Sequence, residues 1–337
     1  MRVTQQDIAR IANVSQATVS RVLAGDGRVE GVIRDRVVAV MKEHNYQPDS
    51  RARSLRSKRS GLIGLVVKRP QGGLSDDPFF ANLVSHIIDF LVDTPFHLCV
   101  DMVVSASSQE AVYDEMLRTR RVDGLILVEA EASDERILRL QAEGFPFVLL
   151  GNPMTDSERL WSVDNDNVHA GELATRHLIQ QGFGKIGFLG GPEGVVVSED
   201  RIAGFRNVVG SESSLVWHAE FGLQAARQSA LDILSSDRRP DALVVLDDFM
   251  AMGVVLAARE LGLRIPEDLG LVSFNDSSLC GLLEGGLTSV SLNIPEMVRL
   301  ATGRLLKIIE ESPIYGERRV IVPCELKERG SSRGGKR

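Results

Sequence analysis

Thr-Gln-Gln-Asp-Ile-Ala-Arg-Ile-Ala-Asn-Val-Ser-Gln-Ala-Thr-Val-Ser-Arg-Val-Leu, residues 4 to 23, reads as two short helices joined by a tight turn. Thr4 is placed to cap the first helix. Its hydroxyl can accept from a free first-turn N–H, and Asp7 lies against the positive helix terminus. Ile8, Ile11 and Ala12 recur at helical spacing and predict one apolar face. Asn13 stands where the chain must turn, because its short amide side chain tolerates the left-handed conformation. Ser15 caps the second helix, and Val19, Val22 and Leu23 point inward to meet the first. Gln16, Ala17, Ser20 and Arg21 are left on the outer face. These residue types read base edges in a major groove: Arg and Gln donate bidentately to guanine and adenine, and Ala touches a thymine methyl.

A third helix is predicted over residues 31 to 44, with Ile33, Val37, Val40, Met41 and His44 covering the first two helices and Asn45 ending it. Tyr46 and Pro48 then start a hinge. Pro48 blocks continuation of the helix, Asp49 can cap a new one, and residues 50 to 56 make barely two turns. Isolated helices below roughly 12 residues are marginal in water, so this segment is expected to order only when something packs against it.

Residues 7 to 23, followed by Asn-Tyr-Gln-Pro-Asp-Ser-Arg-Ala-Arg-Ser-Leu-Arg at 45 to 56, resemble the lactose repressor (LacI/GalR) family of bacterial transcriptional regulators. Asn13 and Asn45 stand where that family usually has glycine, and Glu30 where it usually has a serine cap. The resemblance implies a DNA-contacting set of Thr4, Ser15, Gln16, Ala17, Thr18, Ser20 and Arg21 in the head and Ser50, Arg51, Ala52 and Leu55 in the hinge. Leu55 matches the family's leucine that wedges into the minor groove, with Arg51, Arg53 and Arg56 along the phosphates.

The charge distribution agrees with a head that meets nucleic acid. Residues 1 to 60 hold 12 Lys and Arg against 6 Asp and Glu, a net of +6, and the other 277 residues carry a net of −13. Attraction for phosphate is thus confined to one region, and the acidic remainder is kept off the DNA. The composition, 43% hydrophobic and 25% charged, is that of a soluble globular protein with two to three domains. Cys99, Cys280 and Cys324 are far apart and odd in number, which predicts neither a disulfide framework nor a zinc site. No apolar signal segment opens the chain and no run of about 18 apolar residues occurs, so a cytoplasmic protein without membrane attachment is expected.

From Leu62 apolar runs alternate with amphipathic stretches. Strands are predicted at 62–67, 96–104, 124–128 and 147–150, with helices near 78–93, 108–120 and 134–143. A second series places strands near 185–190, 215–219, 242–246 and 269–274, with helices near 165–181, 199–209, 223–235, 248–261 and 295–310. That alternation predicts parallel βα units, hence an α/β body of two lobes. The resemblance makes residues 61–330 a ligand-binding and dimerisation domain similar to a periplasmic sugar-binding protein. Its lobe crossovers fall near 163, 292 and 321, after a head at 1–46 and a hinge and linker at 47–60. The polar, glycine-rich residues 331–337 are expected to form a loose tail.

Known catalytic motifs are absent from the sequence, including a Gly-x-Ser-x-Gly elbow, a Walker loop, His-Glu-x-x-His and Gly-x-Gly-x-x-Gly. No enzyme, metal or cofactor is therefore expected. Ligand candidates sit at strand C-termini and in the loops after them. Asp77 can cap a helix with Pro78 at its first position, leaving Phe79 or Phe80 free to stack on a sugar ring. By resemblance, Arg201 is the ligand-binding arginine, Asp247 an acceptor just after a strand, and Phe221 an aromatic lid, whereas Asp248 only caps the next helix. Asn275 stands where many relatives have aspartate. The expected protein is a homodimeric repressor that binds a pseudo-palindromic operator under control of a small effector, a sugar. The alternative is a transport solute-binding protein with the same body; an enzyme on that fold ranks third.

Overall fold

Capping and turn chemistry build the head. The computed structural model describes residues 3–23, 26–44, 46, 59–68, 78–128, 134–152, 160–211 and 214–334. Helices α1 (Gln5–Ile11), α2 (Gln16–Leu23) and α3 (Gly31–Glu43) close on Ile8, Ala9, Ala12, Val19, Val22 and Val37. Ile11 does not join this face and is 44% exposed. The buried stripe is set by residues 8, 9 and 12, and position 11 lies about 100° from its centre on the helix. His44 is exposed as well; Tyr46, whose N–H donates to Met41 O at 2.9 Å, packs on the core in its place. Glu30 makes no side-chain bond to the start of α3.

Residues 1–60 and 61–337 form separate units. The second unit contains two six-stranded sheets. The first has the order β11-β5-β4-β3-β1-β2, and all its strand pairs are parallel. Its strands are β1 (Leu62–Lys68), β2 (His97–Val103), β3 (Gly124–Val128), β4 (Phe147–Leu150), β5 (Ser162–Asn165) and β11 (Arg319–Val322). Helices α4 (Pro78–Leu91) and α11 (Ile294–Ile309) cover one face through Phe80, Leu83, Ile87, Val298, Ala301 and Leu305. Helices α5 (Ala106–Thr119) and α6 (Glu135–Ala142) cover the other through Tyr113, Met116, Ile137 and Leu140. With both faces covered, the central strands read as continuous apolar runs.

The second sheet has the order β12-β10-β9-β8-β6-β7. It comprises β6 (Ile186–Gly190), β7 (Leu215–His218), β8 (Ala242–Val245), β9 (Gly270–Phe274), β10 (Thr288–Ser291) and β12 (Glu325–Lys327), the last antiparallel to β10. Helices α7 (Asn167–Gln180) and α8 (Val196–Val209) pack on one side, and α9 (Leu223–Leu234) and α10 (Asp248–Glu260) on the other. The α7–α8 contact is close. A Cβ added at Gly204 would overlap the carbonyl of Val168, and one at Gly171 would overlap that of Arg201.

The chain passes between the sheets three times: from β5 into α7, from β10 into α11, and from β11 into β12. Residue 165 ends a strand, and α7 starts only at Asn167, capped by Asp166 whose Oδ1 accepts from His169 N at 2.9 Å. Asn165 joins all three passages: its Nδ2 donates to Leu292 O at 3.0 Å and to Val322 O at 2.9 Å.

The expected loose tail at 331–337 does not hold at its start, and residues 335–337 lie outside the described residues. Residues Gly330–Ser332 form a 3₁₀ turn in which Ser331 and Ser332 are buried. Ser331 Oγ donates to Leu271 O at 2.7 Å and accepts from Thr288 N at 2.8 Å, while Ser332 Oγ lies 2.7 Å from both Thr288 Oγ1 and His177 Nε2. The small polar side chains that make this segment look like a linker are the groups that tie it to the sheet.

Candidate functional site

In the head, Thr4 Oγ1 accepts from Asp7 N at 3.3 Å and Asp7 Oδ2 accepts from Thr4 N at 3.0 Å, a closed capping box. The Thr4 bonds hold the Asp7 carboxyl below its usual range. Asn13 has φ 51°, the left-handed turn expected of it. Ser15 Oγ accepts from Thr18 N at 3.1 Å and lies 2.9 Å from Thr18 Oγ1, so both hydroxyls are engaged in starting α2. Val19 and Val22 face inward, leaving Gln16, Ala17 and Arg21 exposed on one face with Ser20 half-buried beside them. Asp26 was not anticipated from the sequence. It accepts from Arg28 N and Nε, each at 3.0 Å, and its carbonyl accepts from Arg34 Nη2 at 3.0 Å, fixing the turn from α2 to α3. The Arg28 bonds hold the Asp26 carboxyl at about 2. Asn45, Ser50, Arg51, Ala52 and Leu55 lie outside the described residues.

In the body, Arg201 on α8 is 3% exposed. Its Nε donates to Asn167 Oδ1 at 3.1 Å and its Nη1 to Leu246 O at 2.7 Å, and the guanidinium lies 4.3 Å from the centre of the Phe274 ring. Burial lowers its pKa to about 10, opposed by Cys324, Asp247, Asp164 and Asp248. Asp247 follows Leu246 and Asn275 follows Phe274, so both flank groups that Arg201 touches. Phe221, in the loop after β7, packs beside Gly191, as Leu246 does. The fold therefore gathers Arg201, Asp247, Asn275 and Phe221 at the strand C-termini of the second lobe.

Phe79 and Phe80 belong to the first lobe and meet edge to face, 5.3 Å between centroids. Phe80 is fully buried in the core and is removed from the ligand candidates; Phe79 is half-buried. Asp77 lies outside the described residues. The helix cap expected of Asp248 is made by its neighbour instead. Asp247 caps α10, its Oδ1 accepting from Met250 N at 2.7 Å. Asp248 is buried and accepts from Ser273 Oγ at 2.5 Å, Ser289 Oγ at 2.8 Å and Ser277 N at 2.6 Å. Adjacent carboxylates at a helix start look alike in sequence, and serines from two other strands decide which one turns inward.

Asp164 was also missed. It is buried on β5 and accepts from Asn167 Nδ2 at 3.3 Å; burial raises its pKa to about 6. Asn152, after β4, donates from Nδ2 to Asp200 Oδ2 on α8 at 3.3 Å, linking the lobes away from the crossovers. Among the described residues, no helix is long and apolar enough to cross a membrane, and no group of three His, Cys, Asp or Glu could hold a metal.

A helix-turn-helix head followed by a two-lobed body with a buried arginine at its strand ends defines a class, the DNA-binding regulators that carry a sensing domain. Residues 4–49 match the family model for bacterial regulatory proteins of the lacI family, and residues 175–332 match that for a periplasmic binding protein-like domain. The chain is 33% identical over 334 residues to the ribose operon repressor of Halalkalibacterium halodurans, covering 98% of each. It is 31% identical to the HTH-type transcriptional regulator MalR of Staphylococcus xylosus, again over 98% of each. Among solved structures, a complex of the transcriptional regulator CelR with cellobiose is 27% identical with a TM-score of 0.73, covering 98% of this chain and 100% of that one. The lac repressor dimer bound to operator and an anti-inducer, at 24% identity, shows the shared fold with a TM-score of 0.84 over 99% of this chain and 100% of that one.

The chain belongs to the LacI family of bacterial regulatory proteins and is a DNA-binding transcriptional regulator. The alternative of a transport solute-binding protein is not favoured, since these relatives are regulators of transcription.

Proposed function

We propose that the protein is a cytoplasmic, homodimeric repressor. In this reading, Gln16, Ala17, Ser20 and Arg21 read a pseudo-palindromic operator in the major groove, and a sugar held between the body's lobes controls binding. The observation that carries the ligand half is Arg201. Its described hydrogen bonds go to two neutral acceptors, an amide oxygen and a backbone carbonyl. Nη2 then remains for the paired hydroxyls of a sugar, to which a planar donor fork is suited. Asp247 and Asn275 supply polar partners, and Phe79 and Phe221 supply faces for the ring.

The dimer is favoured by exposed apolar side chains on both lobes. Ile88 and Val92 lie on and just after α4, Met102 and Val104 on and after the edge strand β2, and Leu282 follows a 3₁₀ turn. A ligand can shift operator affinity only by its preference for one body conformation over another. The Asn165 knot and the Asn152–Asp200 link are the contacts such a preference would act through.

Titration of the full-length protein with ribose and with cellobiose, the sugars named for relatives, tests the reading. The wild type should bind one of them and change its retention of an operator fragment in a gel-shift assay. Arg201→Ala should keep operator binding and lose the response. A wild type blind to both sugars would overturn the choice of ligand, and an Arg201→Ala variant with full response would overturn the site.

A further inference from the structure

Asn275 and Asp276 follow β9 with φ of 99° and 51°, two successive non-glycine residues in a region that side chains disfavour. Such a turn persists only where its surroundings over-determine it. Part of the restraint comes from the body's interior. Asp276 N donates to Ser289 Oγ at 3.0 Å, Ser289 Oγ donates to Asp248, and Ser277 N donates to Asp248 directly.

The rest comes from the C-terminal segment. Arg329 Nη2 donates to Asp276 Oδ1 at 2.7 Å, and its Nη1 to Leu287 O at 2.9 Å. Arg329 is itself fixed on both sides of its backbone. Its N–H donates to Thr288 Oγ1 at 2.9 Å, Gly330 N to Gly285 O at 2.6 Å, and Ser331 N to Gly286 O at 3.0 Å. Glycine is required for this approach: a Cβ on Gly286 would meet Arg329 Cδ at 2.6 Å, and one on Gly330 would meet Gly285 O at 2.8 Å.

We propose that Arg329 is a positioning residue for the effector site, acting through Asp276 to hold Asn275 in its left-handed turn, so that the C-terminal segment takes part in ligand recognition. The proposal rests on the reading of Asn275 as a ligand-facing residue. Arg329 itself touches no candidate ligand group; it fixes the backbone on which one is presented.

Amide hydrogen exchange on the full-length protein, without ligand, tests this. In Arg329→Ala the amides of Asp276 and Ser277 should exchange about tenfold faster, the loss of one charge-assisted hydrogen bond, while β9 and β10 keep wild-type protection. Arg329→Lys should recover part of the protection. Asp276→Asn retains a residue tolerant of positive φ and should show the same local acceleration. Unchanged exchange at 276 and 277 in Arg329→Ala and Asp276→Asn would overturn the proposal, leaving Asp248 and Ser289 as sufficient. Acceleration spread evenly over the second sheet would also overturn it, making Arg329 a clamp on the whole lobe. Because no ligand enters, a failure of the sugar titration counts against the functional reading and leaves this result standing.

Discussion

Asn165, at the start of the first lobe crossover, donates its side-chain amide to the carbonyl of Val322 on the third at 2.9 Å. The same nitrogen donates to Leu292 O on the second at 3.0 Å. Three segments far apart in the chain are thus tied at one buried amide. Leu292 and Val322 carry apolar side chains, so the tie runs through their backbone and is independent of side-chain identity at those positions.

Asn165→Ala should destabilise the body by roughly 2–4 kcal/mol, since each of two buried carbonyls loses a donor worth about 1–2 kcal/mol. It should also weaken the coupling of the lobes. Differential scanning calorimetry of the full chain should show the body's unfolding broaden or split; a single transition at the wild-type midpoint would mean that backbone packing alone holds the crossovers together.

Arg21→Ala should lower affinity for the specific operator by roughly 1–3 kcal/mol and affect random DNA far less, because a base-reading arginine carries sequence information and a phosphate contact does not. Arg21 is exposed on the same face as Gln16 and Ala17, as that role needs. Equal losses on both DNAs in a competition gel shift would reassign it to the backbone.

What was legible in the sequence follows from what is local. The Thr4 capping box, the Asn13 turn and the Ser15 cap each involve residues within a few positions of one another. Strands β1, β3, β4, β6, β8 and β9 read correctly because burial on two faces makes them continuous apolar runs, whereas the short, more polar β5, β10, β11 and β12 are not read as strands. Long-range selection was not legible. Nothing near Asp247 and Asp248 indicates that Ser273, Ser289 and Ser277 draw the second carboxylate inward. Ser331 and Ser332 look like linker residues until Leu271, Thr288 and His177 are placed around them. Phe79 and Phe80 are equivalent in composition, and only the packing of α4 on the first sheet assigns Phe80 to the core.

Asp164 gives the body a defined pH dependence. Burial raises its pKa to about 6 from 3.8, with Asp200 adding to the rise and the Asn165 amide, Arg319 and Arg201 opposing it. Between those values the folded chain holds the proton more tightly than the unfolded chain. This contribution to stability is therefore full below 3.8, falls as pH rises through 6, and is absent above. The separation corresponds to about 3 kcal/mol. Asp164→Asn stays neutral throughout, so its stability relative to wild type should rise by about that amount between pH 4 and pH 7 in denaturant melts. A difference that stays flat across this range would show that Asp164 is solvated like an ordinary carboxylate.

The last prediction separates the placement of Arg201 from its chemistry. Arg201 reaches Leu246 O and Asn167 because α8 lies hard against α7, and that approach is set by Gly204 and Gly171, where a Cβ has no room. Gly204→Ala should push the helices apart. The overlap is with the backbone carbonyl of Val168, which cannot rotate away as a side chain would, so a destabilisation of roughly 1–3 kcal/mol is expected. Arg201 keeps its charge in this variant and loses its seat. Arg201→Lys does the opposite: α8 stays in place, while the planar fork is replaced by a single ammonium that cannot serve Asn167, Leu246 and a ligand together. Both variants should therefore lose sugar response, but only Gly204→Ala should lower the melting temperature substantially, and only Arg201→Lys should keep a wild-type α7–α8 exchange pattern. Full response in Gly204→Ala would mean that the close α7–α8 approach has no part in placing the arginine, and full response in Arg201→Lys would mean that a point charge suffices and that no paired hydroxyls are read there.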